Sequence, residues 1–295
     1  MSRATFLRLI GSLLSGGLLI FLVVQNWGDV TAALARLSAQ ELLTAFGLIL
    51  LSRLFITLRW HVLLRAGGVA IPLRETVSLV FTGLFASNFL PTTIGGDVVR
   101  LAGAMQRGYD RAVCLASIAA DRVINMLGMS LAAPLGLIQV FGGGLPLALA
   151  FSAQDDKENL FSRGVNFIRR TLQSFSLWFK KPGALALALT FALAHMLCTF
   201  GASAVLLSAL GESADFWRLI GLLSLAYFIT LFPISINGYG LQEFSVTYLL
   251  STFAGISLPV SAMLALLHRL LMMAASLPGA LTLPEVLAKM DKSQP

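Results

Sequence analysis

Asn88-Phe89-Leu90-Pro91-Thr92-Thr93-Ile94-Gly95-Gly96-Asp97-Val98-Val99-Arg100 is the stretch on which the fold turns. It sets a proline, two adjacent glycines, an acid and a base at the end of an apolar run, Val77–Leu90. Bilayer hydrocarbon has no water to satisfy broken backbone. Non-helical chain at that depth therefore survives only against protein or a wet cavity. Such a break, with ionisable groups beside it, points to a polar ligand handled inside the membrane.

The rest of the chain supports a membrane setting. Of 295 residues, 57% are hydrophobic and 12% charged, with a mean hydropathy of +0.84. A soluble domain carries about 25% charged residues, so half the usual solvating charge is present and the fold class is an all-α polytopic membrane protein. A net charge of +7 raises the question of nucleic acid. The bases are scattered between apolar runs, without the basic stripe and interleaved aromatics that a groove or a single strand requires, which excludes nucleic acid as a partner. The positive-inside rule accounts for the excess. Cys114 and Cys198 lie in apolar runs and read as small buried hydrophobes. Arg3 and Arg8 before Leu9–Val24 imitate a secretory signal. Gln25-Asn26-Trp27 follows instead of a small-x-small cleavage site, so this is expected to be an uncleaved first span.

Crossing takes about 20 apolar residues. After Leu9–Val24, Val30–Gln40 reads as a surface helix and Leu42–Leu58 as the second span. Arg53 falls near its end, able to snorkel towards Arg59 in a basic loop with Arg65 and Arg74. Val77–Leu90 runs into the first break. Ala112–Leu131 and Leu135–Phe151 form a tight hairpin turning at Pro134. Within polar Ser152–Lys181, Phe161, Val165, Ile168, Leu172, Phe175 and Phe179 recur at steps of three and four. An interfacial helix over 158–181, its 161–179 face on anionic lipid, fits that spacing; so does a linker helix packed on the protein itself. Leu185–Leu210 crosses again, Trp217–Phe232 runs into a second break at Pro233–Gly240, and Leu258–Leu283 is the last span. If both broken segments return on the side they entered, about six full spans remain and both termini are cytoplasmic. Arg3, Arg8, Arg59, Arg65, Arg74, Arg107, Arg111, Arg163, Arg169, Arg170, Lys180, Lys181, Lys289 and Lys292 then lie inside, with Arg36 outside. Full crossings remain an alternative.

The two breaks resemble each other. Ser78–Pro91 and Ile220–Pro233 are apolar runs ending in proline; Gly95-Gly96 follows the first, Gly238 and Gly240 the second. Asp97 and Arg100 come next in one copy and Glu243 in the other, and each copy later holds a membrane-embedded arginine, Arg122 or Arg269. Entered from opposite sides, these form an inverted repeat, about 77–131 and 217–283, within a single domain over 1–295, the architecture of many alternating-access transporters.

A charge in hydrocarbon costs about 2.5–3.5 kcal/mol on insertion scales, so Asp97, Arg100, Asp121, Arg122, Glu243 and Arg269 are expected to face a polar interior. Guanidinium makes bidentate bonds to phosphate, which assigns Arg100, Arg122 and Arg269 to a lipid phosphate. Asp97, Asp121 and Glu243 would compensate the arginines or take part in proton coupling. Asn88, Gly95, Gly96, Asn237, Gly238 and Gly240 complete the candidate substrate-binding set, the glycines through close backbone approach and N–H groups at a broken helix. Structural ion pairs and plain turn glycines are the alternative. His195 and Cys198 share a helix face, but two ligands do not make a metal site, and helix packing accounts for them. No nucleophile–base constellation or phosphate loop occurs, so a nucleotide-driven pump would need a separate subunit. No cofactor is implied, and the chain alone is not expected to be an enzyme.

Asn88-x-Leu90-Pro91-x3-Gly95-Gly96-Asp97-x2-Arg100, Arg107-Gly108, Asp121-Arg122, Pro233-Ile-Ser-x-Asn237-Gly238-x-Gly240-x2-Glu243 and Arg269, in this order, resemble the lysylphosphatidylglycerol synthase transmembrane-region (flippase-like) family. The resemblance covers nearly the whole chain. The family includes the N-terminal flippase domain of the bacterial multiple peptide resistance factor and stand-alone inner-membrane proteins. It implies movement of a phospholipid, often aminoacylated or glycosylated, between leaflets of the bacterial inner membrane. The soluble aminoacyl-transferase domain of bifunctional members has no counterpart before Pro295, and Gln242 precedes Glu243 where a small or basic residue is expected. Two other functions stay open: a membrane subunit that needs a partner transferase, and a scaffold in envelope lipid metabolism. A homo-oligomer is compatible with each.

Overall fold

The structure, a computed structural model, describes residues 27–90, 95–142, 181–231, 235 and 237–284, with isolated positions between 17 and 25. Among these residues every regular element is helical: α1 (Trp27–Leu34), α2 (Ala39–Ala66), α3 (Leu73–Ser87), α4 (Gly95–Gln106), α5 (Arg111–Phe141), α6 (Pro182–Ala209), α7 (Phe216–Thr230), α8 (Leu241–Phe253), α9 (Leu258–Ala274) and a 3₁₀ turn (Leu277–Leu281). Ala39–Ala66, Arg111–Phe141, Pro182–Ala209 and Leu258–Leu281 are long and apolar enough to cross a bilayer. The molecule is an all-α polytopic membrane protein. The expected first span Leu9–Val24 and the 158–181 helix lie almost wholly outside the described residues.

Local chemistry sets the helix starts. Ser38 opens α2 with a capping box: its Oγ accepts from the Glu41 N–H at 3.2 Å, while Glu41 Oε2 accepts from the Ser38 N–H at 3.1 Å. Asp110 and Asp215 cap α5 and α7 through the N–H groups of Val113 and Arg218. The expected surface helix over Val30–Gln40 is shorter than its apolar pattern suggested. α1 ends at Leu34 because the chain must leave it to form the Ser38 cap.

An offset of 143 residues carries α2 onto α6 and α3 onto α7, end for end. The connecting turns match bond for bond. Gly67, Gly68 and Val69 donate to the carbonyls of Leu63, Arg65 and Leu64; Leu210, Gly211 and Glu212 donate to those of Leu206, Ser208 and Leu207. Gly68 (φ 97°) and Gly211 (φ 87°) take the left-handed position that closes such a turn. The repeat thus runs α2–α5 and α6–α9, longer than the 77–131 and 217–283 elements expected. α2 and α6 pack antiparallel: Ser52 Oγ and His195 Nδ1, equivalent positions, share a 2.9 Å hydrogen bond at mid-helix, and Lys181 Nζ donates to Ala66 O at 2.9 Å at the ends. The duplication is therefore inverted.

Each broken segment goes in and comes back. α3 and α4 are antiparallel, with Arg107 Nε 3.6 Å from Glu75 Oε2 at their open end. At about 1.5 Å per residue they span roughly 22 and 18 Å, short of a ~30 Å hydrocarbon core. Gly83 and Gly96 let them close: a Cβ on Gly83 would fall 2.7 Å from the Gly96 carbonyl oxygen. α7 and α8 do the same from the other end, where Ser257 N–H donates to Glu212 Oε2 at 2.9 Å.

The expected hairpin at Pro134 does not form. α5 continues through Pro134 to Phe141. Proline removes one helix hydrogen bond, which a membrane helix tolerates where neighbours fit, and two residues later the Gly136 backbone lies directly on Gly221 of α7. Gly142 and Lys181 consequently stand at opposite ends of the bundle. Arg65, Arg74, Arg107, Arg111 and Lys181 cluster at one end, and Arg36 and Arg218 lie at the other with Glu212 and Asp215.

In a cysteine-free background, Arg74→Cys and Arg107→Cys are expected to react with an impermeant thiol reagent from the same side of sealed vesicles. Ser213→Cys and Gly255→Cys should react from the opposite side. Labelling of Arg74→Cys and Arg107→Cys from different sides would contradict re-entrance.

Candidate functional site

In both repeats the half-helix after the break carries a carboxylate at its third residue, Asp97 in α4 and Glu243 in α8. In both, the next helix carries an arginine eleven residues from its start, Arg122 in α5 and Arg269 in α9. Arg122 Nε donates to Asp97 and Arg269 Nε to Glu243. Glu243 also accepts from the Gly240 N–H at 2.8 Å. The positive end of α8 is thus answered by its own carboxylate, and that glycine N–H, expected to meet a headgroup, is already engaged.

The first repeat builds a longer chain of charge. Asp97 accepts from Arg100 at 3.0 Å. Asp121 accepts from both Arg100 terminal nitrogens at 3.3 Å and from Arg59 Nε at 2.6 Å. Arg100 lies 4.1 Å over the Trp60 ring and Arg269 4.9 Å over Tyr239. Arg59 also donates to Asn125 Oδ1 at 2.6 Å, and Asn125 reaches across the repeats to Tyr227 at 3.0 Å. Arg59 is not in a loop, as its basic neighbours suggested. It is buried in α2 because that helix continues to Ala66, which brings its guanidinium to Asp121.

The two breaks meet. Asn237 donates to the Ser87 carbonyl at 2.5 Å, Tyr239 to the Asn88 carbonyl at 2.9 Å, and Asn88 to Ser276 at 2.8 Å. Asn237 (φ 50°), Gly238 (φ 74°) and Gly240 (φ 77°) give the second break its left-handed turns.

Beside this crossing lies a cavity of about 350 Å³, within the range of small-molecule sites. Of the sequence candidates, Asn88, Arg122, Asn237, Gly238, Glu243 and Arg269 line it. Arg100, Asp97 and Asp121 sit behind it in the buried network. Gly95 and Gly96 pack on Leu90 and Gly83, and Gly240 caps α8. The cavity also recruits Arg53, His195, His268, Asn125 and Gln242, none of them among the substrate-binding residues expected from sequence. His195 packs between helices as expected, against Ser52, but faces the cavity too. Arg53 does not snorkel. It stands fourteen residues from Ala39 and thirteen from Ala66, roughly 20 Å from either helix end, and is 5% exposed. An arginine at the centre of a 28-residue apolar helix was the sequence signal that could have found it.

A cavity lined by charged and apolar side chains between inverted re-entrant repeats suits an amphiphilic ligand at mid-membrane. Residues 8–279 match the family model described as "Lysylphosphatidylglycerol synthase TM region". The chain belongs to this family. No curated protein matches the chain. The described part of this region holds two copies of one four-helix unit, Ala39–Phe141 and Pro182–Ala274, and its acids and arginines at the breaks divide between a buried network and a cavity wall. Among the described residues no group of three metal-ligating side chains comes together.

Glu243 is 4% exposed and its bond to Arg269 is shielded. Removing one partner of a buried pair costs about 3–5 kcal/mol. Glu243→Gln is therefore expected to lower the unfolding midpoint in detergent strongly. The double variant Glu243→Gln/Arg269→Met should recover much of the loss, because no unpaired charge remains. Equal destabilisation in both would contradict the pairing.

Proposed function

We propose that the protein moves the headgroup of a phospholipid between the leaflets of the bacterial inner membrane while the acyl chains stay in lipid. The observation that carries this is the cavity shared by two inverted repeats, its wall mixing apolar side chains with Arg122 and Arg269 at the breaks of both. Phosphate is the chemical partner of guanidinium, and a lipid phosphodiester is the abundant phosphate in this setting. Family membership in a lipid-related membrane region supports the same reading.

The cross-repeat latch of Asn237 on Ser87 and Tyr239 on Asn88 is the element that changes as the repeats rock, exposing the cavity to one leaflet and then the other. Arg122, with its side chain 40% exposed against 15% for Arg269, meets the headgroup first. Asp97 and Glu243 hold the two arginines when the site is empty. The end rich in Arg65, Arg74, Arg107, Arg111 and Lys181 is the cytoplasmic one.

The test is leaflet exchange in proteoliposomes, with labelled phosphatidylglycerol with and without a lysyl headgroup. Wild type should accelerate exchange of at least one lipid, and Arg122→Ala, reconstituted to the same density, should abolish the acceleration. No exchange of either lipid, even under an imposed potential or proton gradient, would rule transport out.

A further inference from the structure

Among the described residues, the charges at the breaks do not balance. Around the breaks the described residues hold five arginines, Arg53, Arg59, Arg100, Arg122 and Arg269, against Asp97, Asp121 and Glu243. Four arginines are tied to these carboxylates. Arg53 has no carboxylate within ion-pair distance among the described residues, and its Nε has no hydrogen-bond partner. It is 5% exposed and lines the same cavity as Arg269.

A cation left unpaired at the centre of a membrane helix is costly. Symmetry makes its position informative. The Ser52–His195 hydrogen bond joins equivalent residues of the two repeats and so marks the pseudo-two-fold axis. Arg53 is the next residue, and its equivalent in α6 is Met196. The site therefore has one cation beside the axis, not two, in a cavity reached from both repeats.

We propose that Arg53 is an anion seat on the axis, which binds one phosphodiester through its guanidinium with His195 and His268 beside it. The inference rests on the lipid-headgroup reading and adds a central phosphate contact to the arginines at the two breaks. A single charge matches a monoanionic phosphodiester, and the planar fork of arginine matches two non-bridging oxygens. At the axis the seat keeps the same relation to both repeats, so the anion stays in place while access changes sides. Arg122 and Arg269 already have carboxylates; Arg53 has none among the described residues, and the ligand supplies its anion.

Binding separates this claim from transport. Dihexanoyl-phosphatidylglycerol, inorganic phosphate and uncharged dihexanoylglycerol are titrated into purified wild type, Arg53→Lys and Arg53→Met, by calorimetry and by thermal unfolding without ligand. Wild type should bind the phosphodiester and bind the uncharged lipid and inorganic phosphate far more weakly. Arg53→Met should lose about 10- to 100-fold in affinity, as removal of a charge-assisted contact implies, and Arg53→Lys should lose less. Without ligand, Arg53→Met should unfold at a higher temperature than wild type, whereas a structural arginine would give a lower one. Wild-type affinity in Arg53→Met, a lowered unfolding temperature, equal binding of the uncharged lipid, or no binding by wild type would overturn the seat. Inorganic phosphate binding as tightly as the lipid would make free phosphate its ligand. Phosphodiester binding that depends on Arg53, without leaflet exchange, would refute the transport reading and leave the seat standing.

Discussion

An ionised group inside a bilayer-spanning bundle has no water to fall back on, so it needs an opposite charge within reach. Asp97 and Glu243 meet that need for the arginines of the following helices, and the rest of the architecture depends on it. Each carboxylate sits at the third residue of a half-helix, so each half-helix must begin at mid-depth, close enough for Arg122 or Arg269 to arrive from the next helix. The chain must then break there. The proline and glycines make the break sterically possible, the opposite break covers part of its exposed backbone, and the space that remains is the cavity.

Duplication explains how so many charges were assembled at the same depth. A unit with one break and one acid–arginine pair, placed twice in opposite orientations, brings two breaks and two pairs to the middle of the membrane. The copies have since diverged where the ligand would sit. The first repeat adds Arg59, Arg100 and Asp121 to its pair, and the second adds Gln242 and Tyr239. Beside the axis, Arg53 faces the cavity from one copy and Met196 stands at the matching place in the other. The scaffold kept its symmetry and the cavity wall lost it.

Much of this was legible in the sequence, for definable reasons. Apolar runs report spans, and Pro-Gly clusters inside them report breaks, so the two broken segments and the charged residues beside them followed from local pattern; re-entrance and structural ion pairing were each one of two readings that the pattern allowed. The rest depends on contacts distant in sequence. Pro134 looks like a turn until Gly221, far along the chain, is found against Gly136. Arg59 and Arg65 made α2 look finished at Leu58, so Arg53 was placed at a membrane edge; only the buried Arg59–Asp121 bond shows that the helix continues and puts Arg53 at its centre. The repeat in α2 and α6 left no shared residues where it matters most, since serine faces histidine at the axis. Equal lengths and the Gly68 and Gly211 turns were its trace.

The central claim is that a lipid headgroup reaches the middle of the membrane inside this cavity. Photolabelling with a phospholipid that carries a diazirine in its headgroup tests it most directly, with the adducts mapped by mass spectrometry. Adducts on cavity positions such as Met272, Met273 and Asn88, reduced in Arg53→Met, are the expected result. Ordinary surrounding lipid cannot give them, because its headgroups stay at the bilayer surface. Adducts confined to the helix ends and their connecting turns, with none in the cavity, would contradict the account.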